Sequence, residues 1–307
     1  MEKFDIAVIG AGAAGLTAAA FAARDGWRVA VVEAMTAGGQ VSNVDAIDNY
    51  PGLPAGTPGY ELGPLLQEQA AEAGAEFVLD TVLRVDGDGD DYLLALSEGH
   101  LRARCVIVAA GSTKRRLGVP GEDPLWGRGV SQCASCDGPL FRGLRACVVG
   151  GGDSALQEAL HLSRHASRVT IVHRGASFRA QHALVAKLHQ ADNVDVRFNT
   201  TVEEITGDSS VTGARLRDTA TGVDQVLDAE GVFVFIGLRP NTAFLGQLAD
   251  LDGQGRISVD AHMRTSRPGI LAAGDIRSDS AAMLAASAGD GVTAARSATA
   301  YLRRRAS

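Results

Sequence analysis

Short apolar runs punctuated by glycine set the pattern of this chain. Residues 5–9 (Asp-Ile-Ala-Val-Ile) and 28–32 predict two buried strands. Between them, residues 16–24 are rich in alanine and free of breakers until Gly26, which predicts a helix. The arrangement returns as strand 146–149, helix 155–165 and strand 168–172. After each such unit, alternating apolar and polar positions with Gly and Asp turns predict antiparallel meanders, over 80–108 and roughly 194–236, the latter ending at Gly237. Val106-Ile107-Val108-Ala109-Ala110-Gly111 predicts a buried strand entering a small-residue turn, and Ile270-Leu271-Ala272-Ala273-Gly274-Asp275 predicts another, closed by Gly-Asp. An Ala-rich final helix follows, with Arg303-Arg304-Arg305 as its frayed end. The Asp86-Gly87-Asp88-Gly89-Asp90-Asp91 run lacks the distal Glu of an EF-hand and predicts a solvated hairpin turn.

Both strand–helix units begin with a glycine-rich turn, Gly10-Ala11-Gly12-Ala13-Ala14-Gly15 and Gly150-Gly151-Gly152-Asp153-Ser154-Ala155. In the first, Gly10 allows the tight turn, Gly12 lets the backbone approach a pyrophosphate and Gly15 lets helix and strand pack closely. The helix N-terminus adds free N–H groups and a positive dipole end. Such a glycine pattern alone is weak, but here the flanking strand, helix and strand-end residue are all in place. Counting 23 positions from Gly10 reaches Glu33; the same count from Gly150 reaches His173, followed by Arg174. A carboxylate at that position accepts hydrogen bonds from ribose hydroxyls and repels a 2′-phosphate, whereas a basic residue attracts one. The first site is therefore expected to take FAD or NAD, and the second NADP, with Arg179 as a second cation. Taken alone, Arg174 and Arg179 would read as solvated surface charges.

At about 150 residues per domain, 307 residues suit two domains. With 46% hydrophobic and 21% charged residues the chain is neither disordered nor collagen-like. A net charge of −7 argues against nucleic acid. No apolar run approaches the roughly 18 residues of a membrane span, and Met1-Glu2-Lys3 leads straight into a strand, so neither a membrane anchor nor a signal peptide is expected. Four cysteines are too few for a disulfide scaffold. A cytoplasmic protein is the expectation.

Cys133-Ala134-Ser135-Cys136-Asp137 lies between the two glycine turns. A pair at this spacing serves zinc, redox chemistry or nothing. Zinc needs two more ligands, and no second close Cys/His pair exists. Cys105 and Cys147 sit in apolar strand-like segments and read as core residues. A redox pair is the better reading, because a thiol at a helix start acquires thiolate character and two cofactor motifs flank it. Asp137 suits proton transfer to a departing thiol, or a turn.

With these residues the chain resembles the low-molecular-weight, bacterial-type thioredoxin reductases. The matching segments are residues 10–15, Glu33, Gly38-Gly39-Gln40, Asn49-Tyr50-Pro51-Gly52, residues 133–137 and 150–155, His173-Arg174, Phe178-Arg179-Ala180 and Gly274-Asp275, in family order over nearly the full length. The resemblance implies an α/β fold of two Rossmann-like dinucleotide-binding domains, each three-layered with a parallel sheet and an antiparallel meander, the second inserted into the first. Residues 1–113 and 242–307 would bind FAD, and 114–241 would bind NADPH and carry the Cys pair. FAD contacts are expected from Gly10, Gly12, Ala13, Ala14, Gly15, Glu33, Ala34, Gly39, Gln40, Asn49, Val82, Ala110, Gly111, Gly274, Asp275, Met283 and Leu284. NADPH contacts are expected from Gly150, Gly152, Asp153, Ser154, Ala155, His173, Arg174 and Arg179. By the same resemblance Cys136 is nearest the flavin, Cys133 attacks the partner disulfide, and Asp137 is the acid/base. The partner is thioredoxin or a thioredoxin-like protein, the assembly is a homodimer, and hinges near 112–115 and 239–241 rotate one domain against the other.

Two segments depart from the family pattern. Gly175 stands where a second arginine is usual, so weaker discrimination of NADP from NAD is expected. Ala281-Ala282-Met283 stands where Tyr-Arg-Gln usually touches the flavin. That change keeps alternatives in view: a ferredoxin-dependent reductase, or a small-dithiol oxidase using O₂. The retained second glycine turn and Arg174 count against ferredoxin. The stretch Ser287-Ala288-Gly289-Asp290-Gly291 is expected to form a helix N-terminus aimed at the flavin.

Overall fold

A computed structural model describes residues 2–89 and 91–306; Met1, Asp90 and Ser307 lie outside it. Along the chain run β1 (Lys3–Ile9), α1 (Ala13–Arg24), β2 (Val29–Glu33), α2 (Gly59–Glu72), β3 (Glu76–Leu79), β4 (Val82–Asp88), β5 (Asp91–Leu96), β6 (Gly99–Val108) and β7 (Ser112–Lys114). Then come β8 (Val130–Ser131), α3 (Ala134–Asp137), β9 (Arg145–Val149), α4 (Asp153–Leu162), β10 (Arg168–Val172), α5 (His182–Leu188) and β11 (Val194–Arg197). The remainder is β12 (Thr200–Thr206), β13 (Gly213–Asp218), β14 (Asp224–Asp228), β15 (Gly231–Val234), β16 (Leu238–Pro240), β17 (Ile270–Ala272) and α6 (Leu284–Ala306). Residues up to Thr113 and from Arg239 onward make one compact unit, and Lys114–Leu238 makes the other. The two crossings, β7 and β16, pair with each other.

In the first unit β3, β2, β1 and β6 lie side by side and parallel. β6 is long enough to serve two partners on one edge. Its first half pairs antiparallel with β5, continuing to β4, and its last residues pair parallel with β17. The meander read at 80–108 is therefore part of the same sheet. Strands buried on both faces need continuous apolar runs, which β1 and β2 supply. Over residues 6–9 alternate side chains divide between two cores, Ile6 and Val8 facing α1 and α6, Ala7 and Ile9 facing the meander side; Phe4, before the irregularity at which Asp5 N and Ile6 N both donate to Arg28 O, joins the second. Gly291 lets α6 approach α1 closely: a Cβ there would lie 2.3 Å from Ala14 O.

The second unit repeats the scheme with the parallel order β11-β10-β9-β15-β8. The stretch 194–236 is not one meander: β11 and β15 join the parallel sheet, and only β12, β13 and β14 are antiparallel. Alternation along a strand shows which face is buried but not the direction of its neighbour. Cys147, Val149 and Val172 face the β12–β14 layer, while Ala146, Val148 and Ile171 face α4.

Helix limits also differ from the sequence reading. α1 starts at Ala13 rather than residue 16, and α4 spans Asp153–Leu162 rather than 155–165, because helical geometry begins directly at each glycine turn. Arg303–Arg305 are helical rather than frayed, and α6 starts at Leu284, placing Ser287–Gly291 inside it. The acidic run forms the β4–β5 turn with Asp88 opposite Asp91, its Asp90 lying outside the described residues. Cys105 and Cys147 are free and buried, and burial pushes both thiols up to about 12. Among the described residues no helix is long and apolar enough to cross a membrane.

Candidate functional site

The first glycine turn sits at the carboxyl ends of β1 and β6, where open α/β sheets bind ligands. Gly10 adopts φ +100°, and a Cβ there would meet Ala109 O at 2.5 Å, so both conformation and space demand glycine. A Cβ on Gly15 would lie 1.9 Å from Gly10 O. Gly12 is different: among the described residues no atom beyond its chain neighbours lies within 4 Å of an added Cβ, and no side chain caps α1. The open face over Gly12 with the first-turn amides of Ala13 and Ala14 is a cradle of the kind a pyrophosphate fills. Glu33 Oε2 accepts from Ala11 N at 2.7 Å and Oε1 from Met35 N at 3.0 Å. Each oxygen keeps an acceptor site for a ribose hydroxyl, and these residues fit FAD.

Other predicted residues gather around this turn. Gly38 N donates to Ala11 O at 2.8 Å, and a Cβ on Gly39 would stand 3.1 Å from Gly12 Cα. Gln40 Nε2 donates to Ser112 O at 2.9 Å, just beyond Ala110 and Gly111. Gly274 packs against Ala14, and the Asp275 carboxylate accepts from the Ser280 and Ser287 hydroxyls, each at 3.3 Å. Met283 and Leu284 lie half-buried at the start of α6. Ala34 is exposed beside Glu33, and Val82 opens β4 two residues after Asp80, whose N–H donates to Glu33 O at 2.9 Å. Asn49 is exposed.

Asp290 has a role the sequence reading missed. It lies inside α6, 8% exposed, and receives a bidentate Arg277 at 2.6 and 2.8 Å plus Gly274 N at 3.1 Å. The expected helix N-terminus at 287–291 is thus an interior ion pair that ties the Gly274-Asp275 turn to α6. Ala282 adopts φ 51°, in the segment that departs from the family pattern.

The second turn keeps the first two of the three motif glycines. Gly150 has φ +148°, Gly152 is open, and Ala155 replaces the third glycine. Ser154 is exposed on the first turn of α4. The Asp153 carboxylate accepts from Gln181 N at 2.8 Å and Gln181 Nε2 at 2.7 Å, so it braces the loop after β10. That loop is held also by Arg179 N on Gly151 O at 2.9 Å. His173 is 6% exposed and packs over Gly151, with Nε2 at 3.1 Å from Ser177 O. A carbonyl only accepts, so Nε2 carries the proton. Burial, then the charges of Arg179 and Arg174, hold this imidazole below its ordinary range, so it is neutral at pH 7. The positive charge comes from Arg174 and Arg179, both exposed and without a carboxylate partner among the described residues. A 2′-phosphate fits this pair, and the second turn fits NADPH. Gly175 has a local cause, since a Cβ there would stand 2.8 Å from His173 Nε2.

Cys133 and Cys136 form a disulfide, Cα to Cα 5.3 Å, on the single turn of α3. Cys133 caps the turn, its Sγ accepting Cys136 N–H at 3.2 Å and its N–H donating to Ser131 Oγ at 3.0 Å. Cys136 is exposed, Cys133 and Asp137 half-buried. Two further residues reach this turn that the sequence reading did not single out: Glu158, whose Oε2 accepts Ala134 N–H at 2.8 Å, and Lys114, which donates to Gln132 O. One signal was present, an acidic residue on the apolar stripe of α4 beside Ala155, Ala159 and Leu162.

The family model for pyridine nucleotide-disulphide oxidoreductases matches residues 4–294. The thioredoxin reductase of Treponema pallidum is 39% identical over 299 residues, 97% of either chain. The crystal structure of Lactococcus lactis thioredoxin reductase superposes with a TM-score of 0.95 at 34% identity, covering 98% of this chain and 99% of that one. That of T. acidophilum thioredoxin reductase gives 0.93 at 35% identity, covering 99% and 100%. Glycine turns, a strand-end acid and base, and a paired Cys-x-x-Cys thus occur in a chain that aligns end to end with these enzymes, and it belongs to the thioredoxin reductases of the pyridine nucleotide-disulphide oxidoreductase family.

Proposed function

We propose that this protein is an NADPH-dependent thioredoxin-disulfide reductase, acting on thioredoxin or a thioredoxin-like protein as a cytoplasmic homodimer. In this reading the unit with the Gly10 turn holds FAD, the inserted unit holds NADPH, and Cys133–Cys136 is the exchange pair. The observation that carries it is the Cys133–Cys136 disulfide on the same unit as the basic second turn. FAD, when bound, supplies two-electron transfer between the nicotinamide and the disulfide. Glu33 would hold its ribose, and Arg174 and Arg179 would hold the 2′-phosphate of NADPH. Those two cations favour a nicotinamide donor over ferredoxin.

In the reduced pair, Cys133 is the sulfur suited to carry thiolate, because the Cys136 N–H already points at it. That thiolate attacks one sulfur of the partner disulfide and the other leaves, protonated by Asp137. Cys136 then gives its proton to the Asp137 carboxylate and attacks Cys133 Sγ of the mixed disulfide; the partner's second sulfur leaves and takes that proton from Asp137, so the partner departs as a dithiol and the Cys133–Cys136 bond is restored. The test is steady-state NADPH oxidation with oxidised thioredoxin from the same cell. Turnover is expected, and Cys133→Ser should abolish it while leaving NADPH able to bleach the flavin. Thioredoxin reduction that persists in Cys133→Ser would overturn the assignment.

A further inference from the structure

The turn that carries the disulfide is gripped by two side chains of opposite charge from other elements. Lys114, at the end of β7, donates to the carbonyl of Gln132, just before Cys133. Glu158, on α4, accepts the N–H of Ala134, just after it, at 2.8 Å. The two charges feel each other: burial lowers the Lys114 ammonium, and the Glu158 carboxylate pulls it back up. A glutamine at 158 would accept the same N–H, so geometry alone does not explain a carboxylate on the apolar stripe of this helix.

We propose that Glu158 is a positioning residue whose negative charge sets the acidity, and hence the redox poise, of the reduced Cys133–Cys136 pair. The proposal rests on reading that pair as the redox centre. Reduction of the disulfide consumes two electrons and two protons while both thiols stay protonated, but one proton once a thiolate persists. A carboxylate one residue from Cys133 disfavours that thiolate. It also occupies the Ala134 amide, which would otherwise be free to stabilise it. Lys114 acts in the opposite sense. The remaining titratable groups at the turn are Asp137 on α3 itself and, against Gly138, the imidazoles of His161 on α4 and His165 just beyond it.

The experiment uses purified, FAD-loaded protein equilibrated with reduced and oxidised glutathione, then trapped by alkylation and read by mass. Two glutathione thiols supply the electrons and become glutathione disulfide. Glu158→Gln should lower the thiol pKa by about one unit, seen as faster alkylation at neutral pH. At pH 6 its equilibrium constant with glutathione should match the parent. At pH 9 it should favour the reduced pair close to tenfold, about 30 mV. Lys114→Gln should shift both readouts the other way, and Glu158→Asp should restore the parent acidity. Should either charge-removing variant fold with unchanged acidity and an unchanged pH 9 constant, the proposal is overturned. Circular dichroism identifies a misfolded Glu158→Gln, in which case Lys114→Gln decides. A parent pair that never exchanges with glutathione would instead sink the proposed function.

Discussion

Replacing Arg277 by methionine tests the claim that a buried ion pair holds the Gly274-Asp275 turn. Methionine keeps much of the volume but leaves the Asp290 carboxylate, 8% exposed, with the Gly274 N–H as its one remaining partner among the described residues. Arg277 is itself 14% exposed and bonds both carboxylate oxygens, so little solvent screening weakens the pair. Removing one member of such a pair costs about 3–5 kcal/mol, because an uncompensated charge stays buried. For a unit of this size each kcal/mol is worth roughly 2–4 °C, so the unfolding midpoint should fall by about 10 °C. Flavin release on heating is the suitable assay, since it reports the first unit and avoids treating two units as one transition. The double variant Arg277→Met with Asp290→Asn should recover most of the loss. Its amide oxygen still accepts from Gly274 N and no charge is stranded. A single variant within about 3 °C of the parent, or a double variant no better than the single, would refute this account.

Two further outcomes follow from the glycine turns and from His173. Gly15→Ala should prevent flavin loading, because its methyl would meet Gly10 O at 1.9 Å, whereas Gly12→Ala should fold normally yet bind FAD more weakly, since its methyl enters open space over the turn. Flavin content and apo-protein melting separate the two, and equal defects in both would contradict the assignment. His173 is held below the ordinary imidazole value of about 6.5, mainly by burial. The unfolded chain therefore takes up its proton first, so the stability from the neutral ring is present above that value and lost as pH falls through the folded one. The stability gap between parent and His173→Gln should narrow from pH 7 to pH 5. A gap that stays constant, or an imidazole signal titrating above 6.5, would contradict it.

Local chemistry was legible in the chain by itself wherever it depends on residues close in sequence. The strand–turn–helix units, Glu33 and His173-Arg174 at equal offsets, and the Cys-x-x-Cys spacing are short-range patterns, and the structure puts each at a strand end or on a turn. What the residues around those patterns do was decided only by packing. The stretch 194–236 divides between two sheets: the uninterrupted apolar run of β15 goes to the buried parallel sheet and β12–β14 pair antiparallel, because a polar and apolar pattern specifies a buried face and not a neighbour. Asp153 turns to Gln181, Asp290 to Arg277, and Glu158 to the amide beside Cys133, across separations of 28, 13 and 24 residues. His173 has the right position for a phosphate ligand, yet burial over Gly151 leaves it neutral and gives the charge to its neighbours. Each of these turns on which groups share a desolvated space, and that is a property of the folded chain.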